Sequence, residues 1–170
     1  MDLKEYQEHA VRTMNNSLGY KEQLATLALG VVGEFGEVLE LVLEDGNIEK
    51  IEEELGDVDW YIANLHTFLG VDWEEHLFIS PLIEGLDTQI VASVGMVAVA
   101  KFADSIKKSV GQGHPFDEKE VLSTLRMITY YAELIAKRFE LSPAIIRRKN
   151  IDKLKARYPQ GFEETRSINR

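Results

Sequence analysis

The sequence predicts an all-α protein, because helical periodicity runs through nearly all of its 170 residues and strand signals are almost absent. Apolar residues recur at steps of three and four along long segments, which is the pattern of helices with one buried face. Turn signals separate these segments, so consecutive helices should fold back on each other as hairpins. We predict helices at about 2–16, 20–44, 48–69, 86–110, 117–140 and 143–157, and an irregular tail after Pro159.

Turn and capping residues indicate several of these boundaries. Asp45-Gly46-Asn47 is a turn signal between the second and third helices. Asp117 marks the start of the fifth helix, and Ser142-Pro143 is a cap followed by a first-turn proline. A short turn of helix is also predicted from Asp72, whose side chain could cap it and pair with Glu75.

Length and composition predict one domain, residues 1–170, with 45% hydrophobic residues to fill its core. A faint internal repeat divides this domain, because segments 20–69 and 86–140 both consist of long helix, turn and long helix. Two such antiparallel hairpins would pack as a helical bundle, with N- and C-terminal helices added. Segment 20–69 would be the active hairpin and 86–140 the supporting one; chance similarity between amphipathic helices is the alternative explanation.

Charge and composition exclude several classes of function. A formal net charge of -10 disfavours polymeric nucleic acid as a partner, because affinity for nucleic acid depends on neutralising phosphates. We find no stretch apolar for the length of a membrane span, and the charged N-terminus lacks the apolar core of a signal peptide. The chain has no cysteine, which excludes disulfides and thiolate sites. These features predict a soluble cytoplasmic protein without a membrane partner.

Two acidic pairs carry most of the chemical information in the chain. The first is Glu34 with Glu37, and the second is Glu54 with Asp57. The i to i+3 spacing puts both carboxylates of a pair on one face of a helix. The turn at 45–47 should bring the pairs together, and four clustered carboxylates require a cation. Mg2+ is suited to such a site, since it prefers a few carboxylates together with phosphate oxygens and water.

A polar stripe follows the third helix beside its apolar stripe. Its members are Lys50, Glu54, Asp57, Tyr61 and Asn64. At about 100° of rotation per residue, their side chains stay within roughly 40° of a common direction. A solvated acidic face with one ion pair is the alternative interpretation. Three glycines beside the acidic pairs argue against it, because each costs about 1 kcal/mol relative to Ala inside a helix. These glycines are Gly33, Gly36 and Gly56. Their presence suggests that a backbone or a ligand approaches closely there.

Three segments resemble the MazG-like branch of the all-α NTP pyrophosphohydrolases, a superfamily that also holds the dimeric dUTPases and dCTPases. They are Gly33-Glu34-Phe35-Gly36-Glu37, Glu53 to Tyr61, and Asn150 to Pro159. The resemblance covers the first 70 residues and the last 25. It departs from many short members in the middle, where residues 71–140 intervene. This extra hairpin argues against the usual tetramer and favours a homodimer with a duplicated arrangement.

The resemblance implies an enzyme that hydrolyses a nucleoside triphosphate between its α and β phosphates, releasing pyrophosphate. It implies Mg2+ as the cofactor, or Mn2+ in its place, and a role in nucleotide-pool sanitation. The residues that match the family's metal ligands are Glu34, Glu37, Glu54 and Asp57. Those that match its substrate-binding groups are Lys50, Tyr61, Asn150, Lys153 and Arg157. As the base that activates water we predict Glu37, with Glu34 as the second choice.

Two other functions remain open. A di-iron carboxylate oxidase also uses a four-helix bundle, but it needs Glu-x-x-His repeats that this sequence lacks. A catalytically silent helical interaction module could share the fold and carry an acidic face without a metal. Several aromatic residues could stack a nucleotide base, although aromatic residues on packed helices are more often part of the core: Phe35, Trp60, Trp73 and Tyr158.

Overall fold

The computed structural model describes residues 1–74 and 81–168. Within these ranges the chain is helical and contains no strand, apart from an isolated bridge between Pro159 and Gly161. A turn of 3-10 helix, Val11–Thr13, follows the first helix. The helices are α1 (Leu3–Ala10), α2 (Tyr20–Leu43), α3 (Ile48–Phe68), α4 (Pro81–Glu84), α5 (Thr88–Gln112), α6 (Glu118–Arg138), α7 (Pro143–Arg157) and α8 (Glu164–Ile168).

The predicted all-α fold class is confirmed. The differences lie at the ends of elements and in two short helices, α4 and α8, that were not predicted. The first helix stops at Ala10 and tightens into the 3-10 turn instead of continuing to residue 16. The tail after Pro159 is not wholly irregular, because backbone bonds from Arg166 and Ser167 to the Glu163 oxygen begin α8. The helical turn predicted from Asp72 is absent among residues 71–74, and its expected partner, residue 75, lies outside the described residues.

Four long helices form a bundle in which α2 packs against α3 and α5, α5 packs against α6, and α6 contacts α3. Helices α2 and α5 run antiparallel. The Nζ of Lys21, at the start of α2, donates to the backbone oxygen of Val110 near the end of α5 at 3.3 Å. Farther along, the ring of Phe35 fills the space beside Gly95. Helices α1 and α7 lie outside this ring and pack against α3 and each other.

Helix α3 is central because its predicted apolar stripe forms much of the core. The buried members are Ile51, Leu55, Val58, Ile62 and Leu65. Its first apolar residue, Ile48, is 50% exposed instead of buried. The turn before α3 is the predicted one: Asp45 adopts a left-handed conformation with φ 52, and Asn47 Oδ1 accepts the Glu49 amide as an N-cap.

Helix α5 corrects one expectation from the sequence. It is long and apolar enough to cross a membrane, and it is the one helix in the described part of the chain that meets these two criteria. Core helices of soluble proteins meet the same criteria. Residues such as Val99 and Phe102 are buried in the bundle. The segments 20–69 and 86–140 are both helical hairpins, while their origin by duplication stays a prediction.

Helix α7 approaches α3 closely at Gly56, as the glycine pattern suggested. A Cβ added to Gly56 would lie 3.0 Å from the Asn150 Cβ, so a larger residue would push α7 outward. Gly33 and Gly36 differ, since no atom lies within 4 Å of the position that their Cβ would take. Packing within the chain therefore explains Gly56 but not the other two.

We predict that Gly56→Ala destabilises the fold by about 1–3 kcal/mol relative to Gly33→Ala, because the added methyl strains the α3–α7 contact. The Gly33→Ala control adds its methyl in open space and should gain up to about 1 kcal/mol of helix stability. Urea denaturation of both variants checks the difference. Equal midpoints for the two variants would contradict the inferred contact.

Candidate metal centre

The structure brings together three of the four predicted acidic ligands. Glu34 on α2 and Glu54 and Asp57 on α3 each offer a carboxylate oxygen, and these oxygens lie within 4.8 Å of one another. All three residues are half-buried. Glu37 lines the same cleft but is exposed and is not part of the cluster. A hard cation prefers such an all-oxygen donor set, so the cluster could hold a metal ion.

The alignment of α2 with α3 depends on a close contact one turn away from the acids. A Cβ on Gly30 would lie only 2.0 Å from Cε1 of Tyr61, so the tyrosine ring occupies the space that a side chain would need. Glu34 follows Gly30 by one turn, and Asp57 precedes Tyr61 by one turn. In an antiparallel hairpin this contact therefore sets the two carboxylates opposite each other. The sequence signal for this contact is the position of Gly30, four residues before Glu34.

Asp57 is held by two residues of α7. Lys153 Nζ donates to both carboxylate oxygens at 2.7 and 2.6 Å, and Asn150 Nδ2 donates to Oδ1 at 2.7 Å. The Tyr6 hydroxyl in turn donates to Asn150 Oδ1 at 2.8 Å. This bond orients the amide so that its NH2 group points at the carboxylate. Burial, followed by nearby carboxylates, raises the pKa of Tyr6 well above its usual value, so Tyr6 remains a donor.

The clustered carboxylates repel one another in a partly desolvated site. Burial, together with the charges of Asp57, Glu37 and Glu54, raises the pKa of Glu34 to about 7. The pKa of Glu54 is also raised, first by burial and then by Asp57 and Glu37. Lys153 opposes both shifts without cancelling them. At neutral pH a cation at this site would therefore reduce the repulsion between the carboxylates.

A cleft of about 290 Å³ extends from the carboxylates towards the C-terminal segment. Lys153 and Arg157 both line it, since their i to i+4 spacing puts them on one side of α7. Aromatic residues also line the cleft, and two of them, Trp60 and Tyr61, pack edge to face. The aromatic residues that line the cleft are Trp60, Tyr61, Tyr158 and Phe162.

Three polar residues that the sequence analysis singled out do not line the cleft. Lys50 is exposed in the first turn of α3 and does not line the cleft, because the acids begin a full turn later. Asn150 is buried, and its amide is engaged by Asp57 and Tyr6, so it positions a ligand instead of lining the cleft. Asn64 is also buried, and its amide donates to the backbone oxygen of Trp60.

Sequence reasoning missed several residues that shape the cleft. Thr13 Oγ1 accepts the indole N-H of Trp60 at 2.8 Å and fixes that ring. Phe162 packs against Tyr158 with ring centroids 5.8 Å apart. Its place just after the Tyr-Pro-Gln-Gly turn was the available signal. Glu53, Leu154 and Ser167 also line the cleft.

A larger cavity of about 540 Å³ lies between α6, α7 and the residues around Trp73. Its buried charge is Arg147, which already pairs with Asp59 at 2.9 Å and with Glu133 at 2.6 Å. The carboxylate cluster, with its unbalanced charge, is therefore the better candidate for a functional site.

No family model, curated protein or solved structure matches this chain. The family resemblance seen in the motifs consequently stays a prediction.

We predict that Glu34 makes the metal-free protein less stable as the pH rises from about 4.5 to about 7. In that window the folded state retains a proton on Glu34 that the unfolded chain releases, so each increase in pH favours unfolding. Glu34→Gln should flatten this dependence and gain roughly 2–4 °C at pH 8. Thermal melts in chelator at pH 5 and pH 8 measure it. An identical pH dependence in both proteins would show that Glu34 has an ordinary pKa.

We also predict that Glu54→Gln and Asp57→Asn each weaken Mn2+ binding at least tenfold, about 1.4 kcal/mol, because each removes an anionic oxygen ligand. Glu40→Gln on the exposed side of α2 is the matched control and should bind Mn2+ like the parent. Titration calorimetry without nucleotide measures these affinities. Equal losses in all three variants would indicate a diffuse charge effect instead of a site.

Proposed function

We propose that this protein is a Mg2+-dependent nucleoside triphosphate pyrophosphohydrolase that converts a nucleotide to its monophosphate and pyrophosphate. The observation that carries the proposal is the arrangement of one cleft. Three carboxylates within 4.8 Å lie beside Lys153 and Arg157, with aromatic rings along the same surface. A cation site, phosphate-binding groups and a stacking surface are the three elements that a metal-bound nucleotide needs.

The donor set fits Mg2+, and also Mn2+, because all three groups are carboxylates and none is a soft ligand. Glu34, Glu54 and Asp57 would hold the ion, and Glu37 lies close enough to raise the pKa of two of them. When bound, such an ion neutralises phosphate oxygens and lowers the pKa of a coordinated water.

Lys153 has a dual role in this proposal. In the structure its ammonium group neutralises Asp57 and also lies 3.2 Å from Glu53 Oε1. A cation at the cluster would take over the neutralisation of Asp57, so Lys153 would become available to a phosphate oxygen. Arg157, one turn later, would bind the same phosphate chain with a planar donor group. The cleft thus exchanges internal ion pairs for contacts with the substrate.

The remaining residues orient the substrate and accept the proton of the attacking water. We assign the base to Glu37 first, because it lines the cleft but is not one of the clustered ligands, and to Glu34 second. Tyr61 and Trp60 would support the sugar and base. Asn150 acts through Asp57, and Lys50 could reach only a part of the substrate outside the cleft. Sanitation of a cytoplasmic nucleotide pool is the role that suits such a reaction.

Pyrophosphate release from a panel of nucleoside triphosphates, with Mg2+ and with chelator, tests the proposal directly. We expect release that requires the metal and gives one monophosphate for each pyrophosphate. Absence of release from every nucleotide would favour the silent interaction module, in which Lys153 permanently neutralises the acids.

Lys153→Ala should lower kcat/KM at least tenfold, because it removes a cation from the phosphate site. Binding of Mn2+ alone should stay equal or become tighter, since the same variant removes the competing ammonium from Asp57. Lys155→Ala, an exposed lysine on the same helix, is the matched control. Parallel losses in metal binding and turnover would instead assign Lys153 a structural role at Asp57.

A further inference from the structure

Helix α2 carries a second apolar stripe beside the one that enters the core. Its residues follow alternating steps of four and three, the spacing with which a helix packs against a partner helix: Ala25, Leu29, Val32, Gly36, Leu39 and Leu43. None of them is buried, and Leu29 is 68% exposed. The space over Gly36 is open, with no atom within 4 Å of its Cβ position. Val32 and Leu39 pack in part against the core, whereas Leu29 and Leu43 are at least half exposed, so the outer side of this stripe is uncovered in the described part of the chain.

Helix α5 continues the same surface. Its most apolar stretch is only 39% buried, and Val97 is 54% exposed. The alternating spacing is repeated on α5 by Ser93, Met96, Ala100 and Ala103, none of which is buried, although Met96 packs in part against the core. We call the two stripes together the α2/α5 face.

We infer that the α2/α5 face binds the same face of a second copy of this chain around a two-fold axis. The contacts Lys21 with Val110 and Phe35 with Gly95 fix the level of the two helices. Because the helices are antiparallel, an α2 residue and the α5 residue beside it have numbers that add up to about 130. Val32 of α2 therefore lies beside residue 98 of α5. This register allows the two stripes to be tested for self-complementarity.

An axis at the level of Val32 sets large residues opposite small ones on both helices. On α2 it brings Leu29 of one copy opposite Gly36 of the other, where the open space accepts a side chain. On α5 the same axis brings Met96 of one copy opposite Ala100 of the other. An isologous interface requires such pairing in both directions at once.

The charges at the two ends of the face favour the same arrangement. Lys21, Lys107 and Lys108 lie at the end where α2 begins and α5 finishes, together with the acids Glu22 and Asp104, so these five residues carry a net charge of +1. The opposite end carries acids of α2 and the α5 cap: Glu40, Glu44 and Asp87. A two-fold axis across the helices places the basic end of one copy over the acidic end of the other.

The available area suits a dimer. Helices of 24 and 25 residues are about 36 Å long, and two neighbours about 9 Å apart present a side roughly 20 Å wide. This gives about 700 Å² for each copy, near the roughly 800 Å² of a standard stable interface.

Sedimentation equilibrium of the full chain tests the interface without reference to catalysis. We expect a mass of twice 19.3 kDa for the parent. Leu29→Glu should raise the dimer dissociation constant at least tenfold, since each interface would bury two new charges. The matched control is Leu82→Glu, an 84% exposed leucine outside the face, which should remain dimeric. Circular dichroism should show unchanged helix content in both variants.

Cross-linking tests the position of the axis. The chain has no cysteine, so Val32→Cys introduces a single thiol at the axis, where a short bis-maleimide should link the two copies. Leu82→Cys should stay unlinked. A monomeric parent, a Leu29→Glu variant that dimerises like the parent, or an unlinked Val32→Cys would each overturn the proposal. Flotation of a monomeric parent with lipid vesicles would assign the face to a membrane surface instead.

Discussion

The candidate site depends on the docking of α7 against α3. Asp57 gains its bonds to Asn150 and Lys153 only because α7 lies close over Gly56. A buried ion pair fixes the same helix one turn earlier, where Arg147 and Asp59 side chains are 5% and 6% exposed. The same guanidinium donates to Glu133 on α6 and lies 5.3 Å from the Trp73 ring centroid. Breaking such a pair from one side typically costs about 3–5 kcal/mol, so α7 has little freedom to slide.

The acidic cluster lowers the stability of the folded protein at neutral pH. Burial and mutual repulsion raise the pKa of Glu34 to about 7, which means that its charge opposes folding at neutral pH. Asp59 shows the same effect of burial, with its pKa raised to about 6 despite Arg147. The difference is that Asp59 pairs directly with Arg147, which also binds Glu133, whereas Lys153, the cation that lowers the pKa of Glu34 and Glu54, is bonded to Asp57 and Glu53. The cluster therefore costs stability at neutral pH, and the cation that we propose for this site would offset that cost.

Local patterns were sufficient to predict the helices and the acidic pairs, because i to i+3 spacing and apolar periodicity act within one helix. Contacts between distant residues were not predictable in this way. Tyr6 and Asn150 are 144 positions apart, and Lys153 and Asp57 are 96 apart. Two lysines illustrate the difference between a pattern within one helix and a contact between helices. Lys50 follows the correct period but begins too early to line the cleft, while Lys153 reaches Asp57 from another helix.

Helix α2 serves three surfaces with three different sides. Phe35 faces the core, Glu34 faces α3, and Leu29 faces outward. Five residues separate Leu29 from Glu34, which turns the two side chains about 140° apart at 100° per residue. No residue of the α2/α5 face lines the cleft. Pairing of two chains through that face would therefore leave both clefts open, so the proposed dimer and the proposed nucleotide site could be altered by separate substitutions.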